Sequence, residues 1–345
     1  MNNEIKLKLS QVEIKQTLEQ IGEADLIVIT AHQNPDGDAV GSMLGLFHIL
    51  KYANKNCVCV LPDRYPDFLK WMPGTEQIIF FDESTEKASE LLNTANLIFC
   101  LDYNCTDRTG KEMGPVLKAA KGYKVMIDHH PLPEDFCNLT INSPEDCSTC
   151  QLIYRFVATL GYENHVNEQA ATCLYVGLVT DTGSFRYPST KAITHQIAGN
   201  LIQAGANNGQ IHINLFDTNT ESRLRLLGFA LTQKLVVLRD HATAYFVLTQ
   251  DELADYNYAK GDTEGLVNYG LSMEGIKLAA IFMETDKLIK ISFRSKGDVA
   301  VNEFMAQNFS GGGHKNAAGG RSNKSLDVTI QQFLSLIPAF MDQYK

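Results

Sequence analysis

The residues His32-Gln33-Asn34-Pro35-Asp36-Gly37-Asp38, continued by Ala39-Val40-Gly41-Ser42, follow an apolar run, Leu26-Ile27-Val28-Ile29. Such a run predicts a strand buried on both faces of a parallel sheet. The small and apolar residues from about Ala39 to Ala53 predict a helix. One imidazole and two carboxylates therefore sit in a tight strand-to-helix turn, bent by Pro35 and Gly37. Open α/β sheets place ligands at the carboxyl ends of their strands. Polar groups crowded this closely repel or desolvate one another unless a cation joins them. Carboxylates with imidazole suit Mn²⁺, Zn²⁺ or Fe²⁺, whereas carboxylates alone suit Mg²⁺.

The pattern repeats outward from this turn. A first helix is expected over residues 5–21. Further strands are expected at Cys57–Leu61, ending in Pro62-Asp63, and at Gln77–Phe81, with a helix near Thr85–Asn93. Leu97–Leu101 stops on Asp102, and Lys124–Ile127 stops on Asp128-His129-His130-Pro131. Alternating strands and helices predict an α/β fold with a doubly wound parallel sheet. A helix over Ser148–Leu160 is expected, with Ser148 or Thr149 as its cap. Another runs from about Asn167 to Val179 and ends at Thr180-Asp181-Thr182-Gly183-Ser184-Phe185-Arg186. Helical segments near 191–204 and 220–234 have no strand between them and read as a connection.

The last third changes character. Strands at 235–239, 243–249, 276–284 and 288–294 alternate with helices near 250–256, 262–271, 299–308 and 325–342, which predicts a smaller α/β domain with a mixed sheet. A Gly-rich loop, Gly311 to Gly320, is expected before the last helix. The expected domains are a catalytic one over 1–190, a helical linker over 191–230 and a substrate-binding one over 231–345.

Two domains suit 345 residues, and 44% apolar residues supply ordinary cores. A net charge of −10 argues against a long nucleic-acid groove, which needs a basic stripe. It leaves room for a short phosphorylated substrate, because bound metals offset acidic ligands. No apolar run approaches the roughly 18 residues of a membrane span, and the polar N-terminus carries no secretory pattern. Eight cysteines without regular spacing suggest a reducing, cytoplasmic setting. Cys57 and Cys59 read as buried apolar residues. Cys147 and Cys150 form a lone CxxC, weak evidence for zinc or redox use.

His32, Asp36, Asp38, Asp102, Asp128, His129, His130 and Asp181 each fall just after an element expected to point to one edge of the sheet. A lone aspartate there is usually a helix cap, and a lone histidine is usually structural. Four separate turns that all carry metal-type side chains are better read as one site.

HxNPDGDA at 32–39, Asp102 after a strand, DHH at 128–130 and DTGSF at 181–185 resemble the four motifs of the DHH phosphoesterases. GGGH at 311–314 resembles the signature of the DHHA1 domain. The motifs occur in the family's order and cover nearly the whole chain. The resemblance implies a doubly wound DHH domain and a mixed-sheet DHHA1 domain. It also implies two divalent ions, usually Mn²⁺, with Mg²⁺ or Co²⁺ as alternatives. By it, His32 and Asp36 bind one ion, Asp38, His129 and Asp181 bind the other, and Asp102 bridges them. His130 would face the substrate phosphate, and Asp128 would orient a histidine. Two cations about 3.5–4 Å apart neutralise a phosphate ester and generate a bridging hydroxide near neutral pH.

Substrate recognition is expected from the second domain. Glycines 311, 312 and 313 offer backbone N–H groups unobstructed by a Cβ, and His314 can donate beside them. Arg294, at a strand end, can fork onto a terminal phosphate. Related enzymes hold the phosphate end with such groups. Arg108 and Arg186 are further candidates, equally readable as surface charges. Lys315 and Asn316 stand beside them. Phe185, Tyr187, Tyr256 and Tyr258 stack a base or simply pack. A stand-alone chain of this kind is most similar to the bifunctional oligoribonucleases that degrade very short RNA and dephosphorylate 3′-phosphoadenosine 5′-phosphate. The alternatives are a cyclic-di-AMP or linear dinucleotide phosphodiesterase, then a polyphosphate or pyrophosphate hydrolase. A metal-bound nucleotide sensor without turnover is the reading of a different class. The expected partners are a short RNA or nucleotide and, as a candidate, a second copy of the chain; a membrane is not among them.

Overall fold

The computed structural model describes residues 2–344. The chain divides after Thr218 into two compact units.

The first unit opens with α1 (Asn2–Ile5) and α2 (Gln11–Glu23). The single helix expected over 5–21 is thus interrupted. Ser10 stops it: its hydroxyl accepts from the Glu13 amide while the Glu13 carboxylate accepts from the Ser10 amide, a capping box that starts α2 afresh. Then come β1 (Ile27–Thr30), α3 (Gly37–Tyr52), β2 (Cys57–Leu61), β3 (Ile79–Phe80), α4 (Thr85–Thr94) and β4 (Leu97–Leu101). They are followed by α5 (Gly110–Ala119), β5 (Tyr123–Asp128), β6 (Leu139–Asn142), α6 (Thr149–Leu160), α7 (Glu168–Asp181), α8 (Ala192–Gln203) and α9 (Asn208–Phe216).

The strands form one parallel sheet in the order β3-β2-β1-β4-β5-β6. The chain leaves β1 in one direction and returns to β4 on its other side. The turns after β1 and β4 therefore meet at the switch point, the usual ligand position of such sheets. Both strands are wholly buried, as their unbroken apolar runs require. So is α3 from Gly37 to Leu50, a helix without a wet face, packed against α6 and α7. β6, a short edge strand, and α9 have no counterpart among the elements expected from the sequence. Residues 191–218, expected within a connection, pack into this unit, with α8 and α9 both against α7.

The second unit contains α10 (Glu221–Phe229), β7 (Leu235–Leu238), β8 (Thr243–Leu248), α11 (Gln250–Asp255), α12 (Leu266–Ser272), β9 (Leu278–Glu284) and β10 (Ile289–Ser295). It ends with α13 (Val301–Asn308), β11 (Ser310–His314), β12 (Ala317–Ser322) and α14 (Leu326–Met341). Its sheet runs β11-β12-β10-β9-β8-β7 and is mixed: β8 and β9 are parallel and the other pairs antiparallel. Alternate residues of β9 serve opposite faces. Leu278, Ala280 and Phe282 join the aromatic core with Phe293, Phe304 and Phe333. Ala279, Ile281 and Met283 pack with Phe246, Leu266 and Val267.

The Gly-rich segment is not a loop. Residues 310–314 are an edge strand paired with β12. Glycine is a poor strand former, which hid both strands from the sequence reading. Here it is needed for close approach: a Cβ on Gly311 would stand 2.1 Å from the Gly319 carbonyl oxygen.

Candidate metal centre

Asp36 caps α3: its Oδ1 accepts from the amides of Asp38 at 3.0 Å and Ala39 at 3.1 Å. The turn before it is pinned twice. The Asn34 amide donates to Asp63 Oδ1 at 2.7 Å, and the Gln33 amide donates to the Arg108 carbonyl at 2.7 Å. Asp38 lies in the first turn of α3 and is fully buried. It is met end-on by α6, whose Thr149 and Cys150 amides donate to Oδ2 at 2.6 Å and Oδ1 at 2.9 Å. Asp102 follows β4 with φ 63°, in the left-handed region that aspartate enters more readily than most non-glycine residues. Asp181 is the last residue of α7, whereas Asp36 and Asp38 start α3, Asp102 follows β4 and Asp128 ends β5.

These side chains converge. His32 Nε2 lies 3.3 Å from Asp102 Oδ2 and 4.0 Å from Asp36 Oδ1. His129 Nε2 lies 3.5 Å from Asp102 Oδ1, 3.4 Å from Asp181 Oδ2 and 3.8 Å from Asp38 Oδ2. One ligand atom each from His32, Asp36 and Asp102 falls within a 4.8 Å span, and the same holds for Asp38, His129 and Asp181. Asp102 thus faces one cluster with each oxygen.

Asp128 and His130 make a different pair. His130 Nδ1 is 2.8 Å from Asp128 Oδ1, and the His130 amide donates to Oδ2 at 3.1 Å. Asn142, at the end of the unforeseen β6, donates to Asp128 Oδ2 at 3.2 Å and to the His130 carbonyl at 2.8 Å. Ligand atoms of Asp102, Asp128 and His130 also fall within 4.8 Å of one another.

Burial and like charge dominate the electrostatics. Burial, then the charges of Asp102 and Asp36, push the Asp38 carboxyl well above the usual range. Burial works the same way on Asp102, but the His32 hydrogen bond and the His130, His32 and His129 imidazoles outweigh it and hold Asp102 low. His32 is raised: burial opposes its charge, and Asp102 and Asp36 overcome that. Burial drives His130 down to about 3 and Asp128 up to about 7. The donor set fits divalent cations. It brings carboxylate oxygens and imidazole nitrogens, hard and borderline ligands, into clusters that are buried except at Asp36 and Asp181 and whose carboxylates disfavour one another.

The remaining candidates separate. The Arg108 guanidinium lowers His32, Asp128 and His130, which places its charge near the centre. Arg186 donates to the Gly183 carbonyl at 2.8 Å and lies over the Tyr187 ring. Phe185 packs on Tyr175 and His195, and Tyr256 on Phe229, so these rings are occupied in packing. The thiols of Cys147 and Cys150 hydrogen-bond separately, to Gln151 Oε1 and the Asp38 carbonyl. Burial pushes Cys147 up to about 12 and Cys150 well up, which makes both poor nucleophiles. In the second unit, Arg294 and His314 pair with opposite sides of Ala317 and so stand on one rung. Gly311, Gly312 and Gly313 are exposed beside them. The residues missed from sequence are Asn142 and Thr149.

Residues 26–178 match the DHH family, N-terminal domain, and residues 242–343 match the DHHA1 domain. A Bacillus subtilis protein named bifunctional oligoribonuclease and PAP phosphatase NrnA is 30% identical over 300 residues, 86% of this chain and 88% of its own. The chain belongs to the DHH family. Among solved structures, an exopolyphosphatase-related protein from Bacteroides fragilis superposes with a TM-score of 0.93 at 38% identity, covering 98% of this chain and 99% of its own. Cyclic-di-AMP phosphodiesterase PdeA of Listeria monocytogenes is 28% identical over 95% of this chain and 50% of its own. The triplet that gives the DHH family its name divides its work here. His129 turns to Asp38, Asp102 and Asp181, while Asp128 and His130 bond to each other.

Proposed function

We propose that this DHH-family chain is a two-ion phosphoric ester hydrolase that cleaves short oligoribonucleotides and dephosphorylates 3′-phosphoadenosine 5′-phosphate. The observation that carries it is the position of Asp102, with one oxygen toward His32 and the other toward His129. His32 and Asp36 would hold one ion, and Asp38, His129 and Asp181 the other, with Asp102 shared. Mn²⁺ suits the mixed oxygen and nitrogen donors, with Mg²⁺ or Co²⁺ as substitutes. When bound, the ions supply the positive charge that neutralises a phosphate and makes water acidic enough to attack it.

The chain's own residues do the rest. Asp128 holds the His130 ring through Nδ1, which leaves Nε2 to hydrogen-bond the substrate phosphate. Arg108, near the centre, and Arg186 add positive charge for an anionic substrate. Arg294, His314 and the open edge of Gly311–Gly313 are assigned to the substrate's phosphate end, by forked and backbone hydrogen bonds. Catalysis is assigned to residues 1–190 and recognition to 231–345. The B. subtilis relative's name supports this substrate class, and eight free cysteines fit a reducing cytoplasm.

The name of the Listeria relative favours cyclic di-AMP as a second reading. A panel of di- to hexaribonucleotides, 3′-phosphoadenosine 5′-phosphate, cyclic di-AMP and polyphosphate, each with Mn²⁺, separates them. Fastest release from the short RNAs and 3′-phosphoadenosine 5′-phosphate is expected. Preference for cyclic di-AMP or polyphosphate would replace the proposal, and binding without release would make the chain a sensor.

A further inference from the structure

We propose that Thr149 is a positioning residue that fixes Asp38 and Asp102 in the arrangement that accepts two ions. The proposal rests on the two-ion reading above. Thr149 was expected to compete with Ser148 for the cap of a helix. The structure gives that task to Ser148 alone, whose Oγ accepts from the Gln151 amide at 3.1 Å. Thr149 is fully buried. Its hydroxyl donates to Asp102 Oδ1 at 2.9 Å, and its amide donates to Asp38 Oδ2 at 2.6 Å. One residue therefore touches both Asp102, which faces the two clusters, and Asp38, a member of the cluster with His129 and Asp181.

The physical consequence lies in the lone pairs. A carboxylate oxygen has about two, and each oxygen of Asp38 takes one amide from α6. That sets the plane of Asp38 and leaves one lone pair on each oxygen for a cation. On Asp102, the Thr149 hydroxyl takes one lone pair of Oδ1, so Asp102 cannot rotate about its side chain without breaking that bond. Oδ1 stays toward His129 and Oδ2 toward His32. The positive end of α6 also favours charge on Asp38, against the repulsion of Asp102. Without the hydroxyl, Asp102 turns to relieve that repulsion, and the shared position between the clusters is lost.

The test compares Thr149→Val, which keeps shape and amide, with Thr149→Ser, which keeps the hydroxyl. Metal-stripped proteins are titrated with Mn²⁺ and followed by electron paramagnetic resonance. In Thr149→Val the weaker of two Mn²⁺ sites should lose roughly 10- to 100-fold in affinity, as for other residues that orient ligands. The melting temperature of the metal-free protein should change little, and kcat should fall with KM nearly constant. Thr149→Ser should restore both ions. Wild-type Mn²⁺ affinity in a folded Thr149→Val protein would overturn the proposal. If Thr149→Val does not fold, Thr149→Ala against Thr149→Ser decides, since they differ by one hydroxyl, and equal affinities overturn it. A wild-type protein that binds fewer than two ions would instead overturn the two-ion reading beneath it.

Discussion

Asp128 holds His130 at two points, its Oδ1 2.8 Å from the ring Nδ1 and its Oδ2 3.1 Å from the His130 amide. An exposed aspartate and histidine would pair as ions. Here burial favours the neutral form of each, which takes Asp128 up to about 7 and His130 down to about 3. Between the ordinary aspartate range and about 7 the folded protein holds a proton at Asp128 that the unfolded chain has lost. Stability from this group is therefore present at low pH and drains away as pH rises through 7. His130 has the opposite sign: its depressed value gives stability above the ordinary imidazole range that is lost as pH falls toward 3. Asp128→Asn removes the first contribution. Metal-free wild type should lose melting temperature relative to Asp128→Asn as pH rises from 5 to 8. A difference independent of pH would show that Asp128 does not carry the proton.

Gly177 lies on α7 where no side chain fits. A Cβ there would stand 2.6 Å from Asp38 Oδ1 and 2.2 Å from Cys150 Sγ. Gly177→Ala should destabilise the protein by about 1–3 kcal/mol, as overpacking does. It should also displace Asp38 and weaken Mn²⁺ binding. Thermal melting and a Mn²⁺ titration check both effects, and unchanged values in each would show that the contact relaxes freely.

His314 and Arg294 share a rung of the second sheet. His314→Ala should raise KM roughly tenfold or more, the loss of a charge-assisted hydrogen bond worth about 1.5–3 kcal/mol. Mn²⁺ affinity should stay at the wild-type value. Equal losses of both would move His314 into the metal centre.

Cys147 donates to Gln151 and accepts from Thr194, contacts that a serine reproduces. Cys147→Ser should leave phosphate release near wild type and insensitive to reductant. A large loss would revive a redox role for Cys147 and Cys150.

The first unit was legible because its signals are local. Four apolar residues before His32, and four turns rich in carboxylate and imidazole, marked both the sheet and the edge where ligands gather. Asp181 was found although it ends a helix, because it too closes an element at that edge. Thr149 was hidden by its chemistry: a threonine beside a serine at a helix start reads as a cap, and only the fold brings Asp102 to its hydroxyl. Asn142 was hidden with β6, whose Leu139-Thr140-Ile141-Asn142 is too short to declare a strand. The edge strand at Gly311–Gly313 was hidden because its residue type argues for a turn, while the close approach that needs glycine is set by a neighbour several residues away.

The central claim is that Asp102 joins two cation sites. Counting Mn²⁺ bound per chain in metal-stripped wild type and in Asp102→Ala tests it most directly. Two ions in the wild type are expected, with at least one lost, together with phosphate release, in the variant. Two ions held with undiminished affinity and turnover by Asp102→Ala would contradict the account.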